Sequence, residues 1–517
     1  AARVLWDAGV PKEVLHLVLG PGETAGAALV ADVRVQGVLF TGSTEVARLI
    51  QAQLAGRLTC NGQPVPLVAE TGGQNAMIVD SSALLEQVTA DVLTSAFDSA
   101  GQRCSALRVL CVQEEIAEPL LTMIRGAVEE LSLGPAHALS TDVGPLIDES
   151  ARTAVEQHVS RMQTLGFSVW RSRLNLEGSF VAPTLIEIPR LDVLQREVFG
   201  PVLHVLRFSR DGLADLLHQL RDTGYGLTMG VHSRIDETIA SVVEAASAGN
   251  VYVNRNMVGA VVGVQPFGGQ GLSGTGPKAG GPLYLLKLMA HVPPRAARHL
   301  VQSSGLALSG PLKSAVSTPT GAAEDSVFTV AMEGAVRSRA FIAWLQSQGH
   351  TLAPVALSAQ RHLDLAFTGD WRGLPGPTGE TNAYAALPRE AVLCLADDEK
   401  RLLHQTGAAL AVGSRAIWSA CWQGLHDRLP ESVATAVTVA QDWQSTPVSF
   451  DAVLVQGSDA QVREVLKRLV MRPGPIVGAC RTFGDDQPVT LHGLVLERSV
   501  SVNTAAAGGN ASLMTIG

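Results

Sequence analysis

The sequence predicts an α/β protein with parallel strands, organised as a partial nucleotide-binding domain, an α/β catalytic domain and a second, degenerate α/β domain. Three observations lead there. Short apolar runs alternate with amphipathic helical runs across short glycine-containing connections, which is the pattern of parallel strands joined by helical crossovers. Composition shifts to Ser/Thr/Pro/Gly across residues 293–323, marking a boundary. Beyond that boundary, segments of the first part recur in the same order.

Taken in order, residues 3–8 read as helix, 14–19 as strand, 22–30 as helix, 37–41 as strand, 44–54 as helix and 65–69 as strand. This is an incomplete doubly wound domain over 1–70. Glu70 follows the last of these strands at its carboxyl end, where open parallel sheets place their ligands. Leu84, Val88 and Val92, at i, i+4 and i+8, mark a long helix, and a strand over 108–112 follows it. Cys104 therefore sits at a helix-to-strand junction. Alternation continues to a glycine-rich stretch over 263–281. The expected units are 1–70, a thiol-bearing catalytic domain over 71–257, an anchor loop and return segment over 258–300, a linker over 301–324, and a second domain over 325–517.

The second domain echoes the first. Residues 37–43 align with 452–458, with Arg48 and Arg463 at one offset; 64–70 align with 473–479, and 251–254 with 500–503. The position matching Glu70 is Ala479, which has no proton-accepting group, so this copy is read as structural.

Composition narrows the function. With 517 residues and 46% hydrophobic content, the chain can bury the cores of two or three domains. The net charge of −9 is dispersed, without the basic block that nucleic-acid binding needs. The six cysteines show no C-x-x-C spacing, which argues against a zinc site and points to a reducing compartment, the cytoplasm. Apolar runs such as 283–290, broken by Lys287, fall short of the roughly 20 residues that span a bilayer. The first methionine is Met77 and the opening residues read as mid-helix, so a fragment is expected rather than a chain with a signal peptide.

Cys104, in Gly101-Gln102-Arg103-Cys104-Ser105, lies 34 positions after Glu70-Thr71-Gly72-Gly73. A loop thiol with a carboxylate suggests covalent catalysis. A thiol of ordinary pKa, about 8.5, is only about 3% thiolate at neutral pH, so Cys104 is expected to be tuned downward, with Arg103 and local backbone N–H groups as candidate sources of positive potential. Most cysteines are inert buried hydrophobes, and Cys111, inside an apolar strand, suits that reading. Glu70 alone could be a cap or a surface group. Gly42 and Ser43 lie between a strand and a helix, where amides could hold a pyrophosphate, although an ordinary N-cap explains Ser43 equally. Glu197 to Pro201 could be a plain turn exit, and the glycine-rich run could be a mobile linker or a source of backbone donors.

Five ordered motifs, Phe40-Thr41-Gly42-Ser43-Thr44-Glu45-Val46, Glu70-Thr71-Gly72-Gly73, Gly101 to Ser105, Glu197-Val198-Phe199-Gly200-Pro201 and Pro266-Phe267-Gly268-Gly269, resemble the NAD(P)-dependent aldehyde dehydrogenase superfamily. Residues 101–112 and 271–285 look most like the glutamate-semialdehyde (pyrroline-5-carboxylate) dehydrogenase part of bifunctional proline utilization A proteins. The resemblance covers residues 1 to about 300. From about 325 onward, including 376–394 and 501–510, the chain is similar to the extra carboxy-terminal domain of longer members. That implies a non-catalytic, dehydrogenase-like domain that helps close a channel between active sites.

The resemblance further implies that Cys104 attacks glutamate semialdehyde, that Glu70 activates the hydrolytic water, and that NAD is the cofactor. Gly42 and Ser43 would meet its pyrophosphate, Glu197 its nicotinamide ribose and Phe199 its nicotinamide region. Ser105, Ser273, Gly274 and Thr275 would hold the amino-acid end of the substrate, with no metal. The implied partner is a proline dehydrogenase module of the parent chain; its FAD has no site in these residues. The family's oxyanion asparagine and its lysine/glutamate ribose strand would precede Ala1, so the isolated chain is expected to be poorly active. Alternatives are another semialdehyde dehydrogenase, anchored by arginines, or a scaffold with a vestigial thiol. NADP in place of NAD, and a homo-oligomeric state, stay open.

Overall fold

The computed structural model describes residues 1–173, 176–308, 327–445, 448–484 and 488–505. Its strands, in chain order, begin with β1 (Val38–Thr41), β2 (Leu67–Glu70), β3 (Ala76–Val79), β4 (Val109–Gln113), β5 (Val169–Arg171), β6 (Thr184–Ile188) and β7 (Val202–Phe208). Then come β8 (Tyr225–Gly226), β9 (Thr228–His232), β10 (Asn250–Val253), β11 (Gln270–Gly271), β12 (Leu306–Ala307), β13 (Arg372–Leu374) and β14 (Glu380–Pro388). The last are β15 (Ala391–Leu395), β16 (Arg415–Ser419), β17 (Val437–Ala440), β18 (Ala452–Val455), β19 (Gly478–Arg481) and β20 (Val495–Asn503).

Near the amino end, β1 and β2 pair in parallel from Val38↔Leu67 to Thr41↔Glu70. The helix Thr44–Leu54 follows β1 as expected, with the Ser43 hydroxyl accepting from the Val46 N–H. Residues 14–19 are a correction: they form a turn and extended coil rather than a strand, and Val14, Leu17, Val18 and Leu19 are exposed. A strand holds only when a neighbouring ladder satisfies its backbone, and among the described residues this segment pairs with none.

The site is carried by an eleven-stranded sheet of order β12-β13-β14-β20-β10-β9-β3-β4-β7-β6-β5. Its centre, from β20 to β6, is parallel. Strands β3, β4 and β10 are buried along their whole length, as near-continuous apolar runs must be when both sheet faces are covered. Around them packs the main core, with Met77, Ile78, Leu107 and Leu110 inaccessible to solvent.

The carboxy-terminal part does not stand apart. Its long strands β14 and β20 pair antiparallel, and β20 joins β10 in parallel, so two chain regions separated by about half the sequence share one sheet. The remainder forms a five-stranded parallel sheet, β17-β16-β15-β18-β19, packed by helices that include Val327–Ser347, Ala353–Leu365 and Glu399–Ala411. This gives a second core around Phe341 and Trp418. Residues 309–324 of the expected linker and 506–510 of the terminal motif lie outside the described residues.

The echo is visible in three dimensions. β18 leads into the helix Asp459–Met471 through Ser458, whose side chain caps it as Ser43 caps its counterpart. Residues 251–253 and 500–502, matched in sequence, lie side by side as β10 and β20. One equivalence shifts. Val38 pairs with Leu67, whereas the matching Val453 pairs with Ala479, so the second copy is three residues shorter between its strands. Register therefore puts Thr482, one past Arg481, where Glu70 stands, in place of Ala479. Neither residue is a carboxylate.

Candidate active site

The helix Leu85–Phe97 ends in a turn that aims the thiol loop. Ser99 and Ala100 adopt left-handed φ values of 55° and 54°, and Gly101 follows at 66°. Such angles in non-glycine residues cost about 1–3 kcal/mol each and persist only where surroundings impose them. Here the constraint comes from Arg108 and Asn75. The Arg108 guanidinium, 2% exposed, donates to Gly101 O at 2.7 Å, Arg103 O at 3.0 Å and Gly200 O at 3.3 Å. Buried Asn75 donates to Cys104 O at 2.7 Å and Ala106 O at 2.8 Å, and accepts from Thr228 N at 3.1 Å. Both ends of the Cys104 loop are thus pinned to the sheet.

Arg108 also closes the loop against the Glu197 motif. Its Nη2 and Nε both reach Glu197 Oε1, at 3.0 and 3.2 Å, and its guanidinium carbon lies 5.2 Å from the Phe199 ring centre. Two glycines make the approach possible. A Cβ on Gly101 would stand 2.3 Å from Gly200 O, and one on Gly72 would stand 1.6 Å from Glu197 Oε2. Phe199 keeps 45% of its surface exposed.

Glu70 ends β2 beneath the glycine-rich loop. Its Oε2 accepts from Gly269 N at 3.0 Å, while its buried Oε1 has no protein partner. A Cβ on Gly268 would come within 2.8 Å of Oε1. The loop is laid along β2 by Thr71 N to Ser273 O at 3.0 Å and Thr275 N to Ala69 O at 2.9 Å. Gly42 N donates to Glu70 O at 3.1 Å, so the Gly42–Ser43 turn adjoins the same strand end. A Cβ on Gly42 would strike the Phe40 ring at 2.4 Å.

Electrostatics ties the two groups together. Burial pushes the Glu70 carboxyl up to about 8, against the opposing Gly269 N–H. The Cys104 thiol is also raised, first by burial and then by the negative charges of Glu70 and Glu197. Both carboxylates therefore lie within electrostatic reach of the sulfur. The N–H groups of Ser105 and Cys104 pull the other way, as the sequence suggested, but are outweighed. The expected lowering is thus corrected: Arg103 turns to donate to Ser99 Oγ at 3.0 Å and does not offset the carboxylates. Cys111, wholly buried in β4, is pushed up to about 12 by desolvation, as an inert cysteine should be.

Of the four residues expected at the substrate's amino-acid end, two have internally engaged hydroxyls. Ser273 Oγ accepts from Gly226 N at 3.0 Å, and Thr275 Oγ1 accepts from Ala69 N at 3.0 Å. These side chains fix Gly274 against Glu70, whose backbones form a bridge. Ser105 is buried beside Cys104 in the thiol loop. Motif reading passed over Asn75 and Arg108. A polar residue directly ahead of an apolar strand, as each is, was the available signal.

Comparison with known proteins agrees with this convergence. Residues 1–292 match the model of the aldehyde dehydrogenase family. The bifunctional protein PutA of Salmonella typhimurium is 51% identical over 526 aligned positions, covering 99% of this chain and 38% of the relative, so the chain spans well under half of that protein. A crystallographically analysed 1-pyrroline-5-carboxylate dehydrogenase from Thermus with bound NAD is 37% identical, with a TM-score of 0.51 over 55% of each chain. Proline utilization A from Corynebacterium freiburgense, at 23% identity, shares the fold over 97% of this chain and 45% of its own, with a TM-score of 0.67. Motifs, geometry and family match coincide: the chain belongs to the aldehyde dehydrogenase family.

Proposed function

We propose that these residues form the glutamate-semialdehyde dehydrogenase site of a bifunctional proline-oxidising protein, with Cys104 as nucleophile and Glu70 as general base. The observation that carries this reading is a half-buried loop thiol within electrostatic reach of the half-buried carboxyl that ends β2, whose charge raises the thiol. The thiolate adds to the aldehyde carbon, and the resulting oxyanion is met by the backbone N–H groups that face the sulfur. NAD, when bound, would supply the acceptor for the hydride that leaves that carbon. Glu70 then takes a proton from water as the water oxygen attacks the thioester carbonyl; the C–S bond breaks, releasing glutamate and the Cys104 thiolate.

The residues present fit the cofactor. Gly42, where a Cβ would press on the Phe40 ring, and Ser43 at the start of an eleven-residue helix would hold its diphosphate. Glu197, seated over Gly72, would take ribose hydroxyls, and the exposed Phe199 ring would meet the nicotinamide. Ser105 and the Gly274 backbone, held by Ser273 and Thr275, would receive the substrate's amino-acid end. The relatives that share most of this sequence are named bifunctional, and we extend to this protein a proline dehydrogenase module as the source of aldehyde. The FAD belongs to that module. No helix among the described residues is long and apolar enough to cross a membrane, and a cytoplasmic setting suits a working thiol.

The test is replacement of Cys104 by alanine in the complete polypeptide that carries this sequence. NADH formation from glutamate semialdehyde should vanish, while Cys111→Ala should retain it. Turnover by the Cys104→Ala protein would refute the assignment.

A further inference from the structure

Behind Glu70 the glycine-rich loop rests on a polar cluster that crosses into the carboxy-terminal part. Lys278, 2% exposed, donates from Nζ to Asn250 Oδ1 at 2.6 Å and to Gly268 O at 2.8 Å. Its backbone N–H donates to Glu497 Oε2 at 2.7 Å. The other oxygen of Glu497 accepts from the Tyr384 hydroxyl at 2.7 Å. Asn250 Oδ1 also accepts from Gly268 N at 3.2 Å, and its Nδ2 donates to Pro266 O at 2.9 Å. Ser499 Oγ meets the same carbonyl at 2.8 Å.

Glu497 and Ser499 are two apart on β20, so both point to one face of the strand, the face on which residues 266–278 lie. The next residue along that loop, Gly269, donates to Glu70. A carboxylate more than 400 positions from Glu70 in sequence therefore stands three hydrogen bonds behind it, through Gly269, Gly268 and Lys278. Glu497 and Tyr384 are both buried, and such a charge is retained only where it is paired and fully hydrogen-bonded. Arg389 adds its charge near Glu497, and Glu70 and Arg498 add theirs near Lys278.

We propose that Glu497, contributed by the carboxy-terminal strand β20, is a positioning residue for the hydrolytic step: with Tyr384 it anchors Lys278, and through Lys278 the Gly268–Gly269 turn that aims the Glu70 carboxyl. The part of the chain whose position matching Glu70 carries no carboxylate thus supports the chemistry of the first. This rests on the assignment of Glu70 as general base. Loss of the anchor should slow hydrolysis of the Cys104 thioester and leave its formation intact.

The experiment is rapid-mixing kinetics of NADH formation in the complete polypeptide, comparing wild type, Glu497→Gln, Glu497→Asp and Tyr384→Phe. For Glu497→Gln the prediction is a burst of about one NADH per site, then a steady rate lower by about tenfold, with kcat/KM for the aldehyde unchanged so that KM falls together with kcat. Glu497→Asp should recover part of the rate, and Tyr384→Phe should show the same split more weakly. A folded Glu497→Gln enzyme with the wild-type steady rate would overturn the proposal. Should Glu497→Gln fail to fold, a Tyr384→Phe enzyme with unaltered burst and steady rate would overturn it equally. Absence of turnover in the wild type would instead bring down the dehydrogenase assignment, and this inference with it.

Discussion

Replacing Glu70 by glutamine keeps the shape of the side chain and removes the carboxylate proposed to take a proton from water. Burial holds the Glu70 carboxyl up to about 8, so about one molecule in ten is ionised at pH 7 and about nine in ten at pH 9. If hydrolysis needs the carboxylate, its rate should climb roughly tenfold across that interval in the wild type. In Glu70→Gln the same step should be slower by a factor on the order of 10² to 10⁴ and flat with pH. Single-turnover mixing of enzyme, aldehyde and NAD, with thioester decay followed after the NADH burst, measures this directly. A pH-independent wild-type decay between 7 and 9, or a glutamine enzyme that decays as fast, would refute the reasoning. Stability gives an independent check. The folded pKa lies above the ordinary 4.5, so proton-linked stabilisation from Glu70 is fully present below about 4.5 and lost as pH rises through about 8. Denaturant unfolding should show Glu70→Gln gaining on the wild type over that window.

Two further outcomes follow from the same geometry. Cys104, raised by burial and by Glu70 and Glu197, should be alkylated slowly at neutral pH and faster as pH rises, and Glu70→Gln should accelerate it. Peptide mapping after iodoacetamide treatment checks both, and a fast, pH-insensitive reaction would contradict them. Arg108→Met should destabilise the fold by about 3–5 kcal/mol, because it leaves buried Glu197 uncompensated and three carbonyls without their donor. A loss below about 1 kcal/mol in urea unfolding would show that the pair contributes little.

Local patterns were legible where local physics decides. The helix Thr44–Leu54 was readable residue for residue, because its cap, periodicity and end lie within one short stretch. The strand expected at 14–19 had the right composition, but a strand exists only beside a partner, and composition does not reveal one. The position matching Glu70 slipped from Ala479 to Thr482 because three residues are lost in a connection, where matching by residue type has little to hold on to. Cys104 and Glu70 stood out by chemistry and spacing. Their supports did not: Asn75 and Arg108 work through backbone carbonyls, which every residue has. Glu497 reaches the loop only because β20 joins β10, a pairing across some 250 residues that no local pattern announces.

The central claim is that the sulfur at 104 carries the acyl group that Glu70 helps to release. It is tested most directly by acid-quenching Glu70→Gln protein after reaction with glutamate semialdehyde and NAD, followed by mass spectrometry of the Cys104 peptide. A glutamyl thioester on Cys104, accumulating in the glutamine enzyme above the wild-type level, is the predicted result. An unmodified Cys104 peptide, or an acyl group on another cysteine, would contradict the account.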